Sequence, residues 1–172
     1  LISRDFIFSD MRHLAECVRL GGKLQEAESL YREAINMLDH ADARNANQLA
    51  KAYFGLAQVL LDAHRLNEGE KAVQTALAKF EQNRGTRSFW YGRCLVTLGR
   101  LRSAQGKTAE AAELLEQALH IVEPLVGPHH PIRALTLRRL VNTLKLGKND
   151  KEADAIQSEL KEVEHHLRDQ DF

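Results

Sequence analysis

Four segments of this sequence superimpose without a gap, starting at His13, Gly55, Thr97 and Arg139, so one pattern returns every 42 residues. A fixed interval of this length marks duplicated supersecondary units that each bury an apolar side against the next. The first segment reads HLAECVRLGGKLQEAESLYREAINML and the third TLGRLRSAQGKTAEAAELLEQALHIV. A large residue, Leu14, Leu56, Leu98 or Leu140, is followed by Ala15, Ala57, Gly99 or Val141, small in all but the last. Seven positions later stand Gly22, His64, Gly106 and Lys148, where the helical pattern breaks. Beyond the break come Ala27, Gly69, Ala111 and Ala153, then Ala34, Ala76, Ala118 and Leu160. Leu24, Ala27, Leu30, Tyr31, Ala34, Ile35 and Leu38 recur three and four apart, as on a helix with one buried face. Each unit therefore reads as two helices and a tight turn, with small residues letting the backbones approach and large ones filling the groove beside them.

The rest of the composition fits one folded domain. The chain has 172 residues, is 44% hydrophobic, and balances 24 Lys and Arg against 24 Asp and Glu. No apolar run is long enough to span a membrane, and residues 1–10 lack the basic start and apolar core of a signal peptide. The expectation is a cytoplasmic protein with no membrane partner. The chain begins at Leu1 rather than Met, which suggests a piece of a longer protein. Cys17 and Cys94 are far apart and have no CxxC or Cys/His spacing, so they read as reduced packing residues.

The order Leu14, Ala15, Gly22, Ala27, Tyr31, Ala34 resembles the tetratricopeptide repeat, whose usual unit of 34 residues is exceeded here by about 8. The longer unit is similar to the repeats of kinesin light chain and of many bacterial proteins. Their units are joined by Gly-Pro, then His-Pro, then an alanine-led helix, and Ala118, Leu119, Ile121, Glu123, Gly127, Pro128, His130, Pro131, Ala134, Leu137 and Leu140 fit that joint. Pro131 can open the following helix, where its missing N–H costs nothing. The other joints, DHADARNANQ and EQNRGTRSFW, depart from the pattern, and Gln157 and Lys161 of the fourth unit replace residues that are apolar in the first three. The resemblance implies an all-α fold, a right-handed α-solenoid of four helix-turn-helix repeats over residues 8–168. The repeats run approximately 8–49, 50–91, 92–133 and 134–168, after an extension at 1–7 and before a tail at 169–172. Phe6, Ile7 and Phe8 suggest apolar surface at the first end, and the ends leave self-association open.

Little in the chain points to catalysis. His129 and His130 are adjacent in an extended joint, where side chains diverge, and no Cys or carboxylate nearby completes a metal site. His130 fits a structural slot instead. Glu162 and His165 form a single Glu-x-x-His, which a di-iron bundle needs twice. No glycine-rich phosphate loop is present, so neither enzyme nor cofactor is expected. Phe89, Trp90 and Tyr91, at a helix start beside a joint, read as packing residues rather than a stacking platform.

Binding is the stronger expectation, because stacked hairpins of this family present their first helices along a concave surface. Carried over by resemblance, that surface holds the bases Arg12, Arg19, Lys51, Arg93, Arg100, Arg138, Arg139 and Lys145, against only Glu16 and Asp62. About three or four of each sign would arise by chance over the 24 sites these positions make in four units. Phe54, Gln58, Val96, Thr97, Ser103 and Asn142 are its neutral members. The second helices are acidic, with Glu26, Glu28, Glu33, Glu68, Glu70, Glu110, Glu113 and Glu116 among others, so a neutral total conceals an asymmetric field.

Two readings of this face stand. In one it is a groove for an acidic peptide segment, held by Arg forks on carboxylates. In the other the arginines solvate an exposed face and pair with neighbouring glutamates. The carboxylate clamp of chaperone-binding relatives is not reproduced at Arg12, Glu16 and Gln58, and only Asn142 matches the asparagines of the kinesin light chain groove. At a pI near 7.3 the chain is not expected to bind nucleic acid. The functional expectation is a protein-interaction module or scaffold. The alternative is a regulatory receptor domain whose ligand or signalling peptide controls an attached effector.

Overall fold

The computed structural model describes residues 4–39 and 45–169. Among them lie the helices α1 (Arg4–Leu20), α2 (Leu24–Asp39), α3 (Ala46–Asp62), α4 (Leu66–Arg84), α5 (Phe89–Ala104), α6 (Thr108–Val126), α7 (Pro131–Leu146) and α8 (Asp150–Asp169), and no strand. The fold is an all-α helical repeat of the solenoid class, with paired helices alternating with tight turns along the chain. No helix among the described residues is long and apolar enough to cross a membrane. The contacts divide the chain into two compact units, Leu1–Gly85 and Thr86–Phe172.

In the first unit α1 packs on α2, α2 on α3 and α3 on α4. In the second, α5 packs on α6, α6 on α7 and α7 on α8. The small-residue columns are buried as their spacing predicts: Ala15, Ala27, Ala57, Ala76, Ala111, Ala118 and Ala153 are without exposure to solvent. Tyr31 fills the space over Gly55, where a Cβ would overlap its ring. Val141, the departure in the small column, is also buried.

The column that breaks the helical pattern has a conformational cause. Gly22 and Gly106 adopt φ of +80° and +79°, and His64 and Lys148 adopt 57° and 59°, the left-handed region. Each lets the next residue's N–H return to the carbonyl five residues back, Lys23 to Val18 at 3.1 Å, Arg65 to Leu60 at 2.8 Å, Lys107 to Arg102 at 2.9 Å and Asn149 to Leu144 at 2.9 Å. Every hairpin turn is thus one device, drawn with or without glycine.

The proline-rich joint also has a counterpart that composition concealed. Gly127, at φ +87°, ends α6; the Nδ1 of His130 then accepts a 3.2 Å hydrogen bond from the Ile132 N–H, and Pro131 starts α7. One repeat earlier Gly85, at φ +72°, ends α4, and Ser88 Oγ accepts from the Tyr91 N–H at 3.3 Å to cap α5. The capping function recurs although the residues differ. Most of the first joint, residues 40–44, lies outside the described residues.

At the start of the first unit the apolar columns lose their cover. Leu14 is 54% exposed, whereas Leu56, Leu98 and Leu140 are buried. Ile7 is exposed and Phe8 buried, while the side chain of Phe6 lies outside the description.

Candidate peptide-binding face

In the first unit, α1 and α3 carry the expected face. Arg19 donates from Nε and Nη2 to Glu16, at 2.9 and 2.7 Å, and from Nη1 to Asp62 on α3. The hydrogen bonding of Arg19 to Glu16 leads the causes that hold its guanidinium above the ordinary pKa. Tyr31 donates to the same carboxylate at 3.4 Å, and burial pushes its phenol up. Both acids of the expected groove are therefore engaged by one arginine. Arg12 contacts His13 Nε2 at 2.7 Å, and Lys51 and Gln58 are half-buried on α3.

Phe54 does not belong to an exposed face. It is 4% exposed, and one repeat later Val96 and Thr97 are 5% and 2% exposed. These positions turn into the core, where apolar side chains escape water and the Thr97 hydroxyl is satisfied by the Arg93 carbonyl at 3.3 Å. Of the neutral members, these three are therefore buried.

The second unit is more one-sided. α5 and α7 contain Arg93, Arg100, Arg102, Arg133, Arg138, Arg139 and Lys145 and not one Asp or Glu. Thr143 Oγ1 donates to Ser103 Oγ at 3.5 Å, which sets the two helices side by side. Some of the cations serve the fold. Arg102 pairs with Glu110 at 3.1 Å. Arg133, 9% exposed, donates to the Pro128 carbonyl at 3.1 Å and to Glu159, with Glu123 at 3.4 Å from its Nε, tying the joint to α6 and α8. Arg93 lies over the Trp90 ring at 5.0 Å, and Phe89 sits edge-on to His130 at 6.3 Å, so these aromatics pack at the joint.

The remaining positions share a surface. Leu135, Arg138, Asn142 and Lys145, spaced three and four apart, are all exposed on α7, and Arg139 is half-buried beside them. Arg100 is half-buried on α5. Leu135 and Leu146 stand on this exposed side but escape a reading that counts only charges; an apolar residue where sister repeats carry Lys51 and Arg93 is the signal that could have found Leu135. Among the described residues no group of three or more His, Cys, Asp and Glu could hold a metal ion. His129 stacks on His166 at 3.8 Å.

Comparison with known proteins places these hairpins. Residues 48–123 match the family described as Tetratricopeptide repeat. That stretch carries tetratricopeptide repeats. BtubC (BKLC) from P. vanneervenii shares the fold at a TM-score of 0.82 and 19% identity, over 98% of this chain and 68% of that one. A Podosopora anserina protein with nearly identical, kinesin-light-chain TPR-like repeats superimposes at 0.68 and 18% identity, over 93% of this chain and 76% of that one. A glutamine-to-methionine variant of that protein reaches 0.72 at 18% identity, over 94% and 76%. No curated protein matches this sequence. Tetratricopeptide repeats generally mediate protein–protein interactions and are typically scaffolds rather than enzymes.

Proposed function

We propose that the chain binds an acidic peptide segment of a partner protein along the first-helix face of its second unit. The observation that carries this reading is the absence of any acid from α5 and α7 beside Arg100, Arg138, Arg139 and Lys145. A field of one sign draws in the opposite charge, and guanidinium forks then bond carboxylates in pairs. The first unit supports the reading less, because its first helices themselves place Glu16 and Asp62 among the bases, both engaged with Arg19, whereas the carboxylate that meets Arg138 comes from α8. Arg12, Lys51 and Gln58 are the first unit's own candidates for such a contact.

The test is fluorescence anisotropy with a labelled decapeptide of aspartate and glutamate. Arg100→Glu with Lys145→Glu should weaken binding at least about tenfold at low salt, with helical circular dichroism unchanged. Binding by the parent chain should also fall steeply as salt rises. Equal affinity for parent and variant removes this face from consideration.

A further inference from the structure

We propose that the cleft between the start of α7 and the end of α8 is a socket for one large apolar side chain of that acidic segment. The cleft measures about 420 Å³ and is lined by Pro131, Leu135 and Arg138 of α7 and by Glu164, Leu167 and Arg168 of α8. Leu135 presents its apolar surface there, at 39% exposure. Leu167 is half-buried against the cluster of Ala134, Leu137, Leu160 and Val163. An apolar floor of this kind holds a leucine-sized or phenylalanine-sized group by removing its surface from water.

The repeat itself shows what such a place receives. One interval earlier, Arg138 and Glu164 correspond to Val96 and Val122, both buried, on helices against which α7 packs. In that hairpin the corresponding positions are thus covered rather than open to solvent. In the last hairpin their chemistry is altered: both valines become charged residues, and Arg93 gives way to Leu135. Two guanidinium groups and one carboxylate now surround the floor, and that carboxylate already accepts from Arg138 at 2.5 Å. The net charge is positive, which favours an apolar side chain flanked by carboxylates over one flanked by lysines.

This inference rests on the reading above and specifies what that reading leaves open, the neutral residue of the ligand. The same exposed side of α7 runs from Leu135 through Arg138 and Asn142 to Lys145, so a segment drawn to Lys145 lies in line with the cleft.

The experiment compares two labelled decapeptides of aspartate and glutamate, one with a central leucine and one with alanine there, against the parent chain and Leu135→Ser. For the parent, leucine should bind about tenfold tighter than alanine. In Leu135→Ser the advantage should disappear while the alanine peptide keeps its affinity, with circular dichroism confirming the fold. Equal binding of the two peptides by the parent overturns the socket and leaves the acidic-peptide reading standing. An advantage that survives Leu135→Ser overturns the placement. Failure of both peptides to bind the parent overturns the acidic-peptide reading, and the socket with it.

Discussion

Arg138 Nη2 lies 2.5 Å from Glu164 Oε1, and the two side chains occupy the places that Val96 and Val122 hold one repeat earlier. Both side chains reach solvent, where an apolar pair would be exposed to water, whereas an ion pair keeps its hydration. Replacing both residues by valine should therefore make this surface adhesive. Sedimentation velocity of Arg138→Val/Glu164→Val should show an apparent mass that climbs with concentration more steeply than that of the parent; identical profiles would remove the capping role.

The Gly55 backbone leaves no room for a methyl group under Tyr31. Gly55→Ala should lower stability by about 1–3 kcal/mol in urea unfolding, as overpacking does. The loss should shrink in a Tyr31→Ala background, because the two sites share one space. Additive losses would deny the contact.

Hairpin turns formed by Lys148 and Gly106 have the same left-handed geometry but different steric consequences. Lys148→Gly should stabilise by about 1 kcal/mol, and Gly106→Ala should cost about as much. Nothing lies within 4 Å of a Cβ added at Gly106, so the alanine variant reads backbone strain alone. Thermal melts of both variants check the opposite signs.

Burial pushes the Glu28 carboxyl up, but hydrogen bonds from Arg32 and Arg65 outweigh it and hold the group below its ordinary value of 4.5. A carboxylate depressed on folding stabilises fully above its unfolded pKa and ceases to do so as pH falls through its folded value. Glu28→Gln should thus be less stable than the parent at pH 7, and the gap should close progressively below pH 4.5. A gap independent of pH would assign the loss to packing.

Much of the architecture was legible because it is periodic. Helix faces follow from spacings of three and four, and the turn column Gly22, His64, Gly106, Lys148 was visible as a break before its φ values were known. The second joint was harder to read. Ser88 and His130 cap helices through different atoms, one a hydroxyl and one a ring nitrogen, so matching function left no matching letter. The candidate site was legible as a bias of charge, since α5 and α7 lack acids in the sequence itself.

Repetition at one interval, read from the sequence alone, determined that helical hairpins would follow one another, because a face apolar at the helical period must be buried by its neighbour. Tertiary structure alone decided which first-helix residues meet a carboxylate and which turn inward. Arg19 finds Asp62 on a different helix, Arg133 sinks between α6 and α8, and Phe54 turns inward. Charge is a property of a residue, but its pairing and burial depend on distances between helices, which the order of residues does not contain.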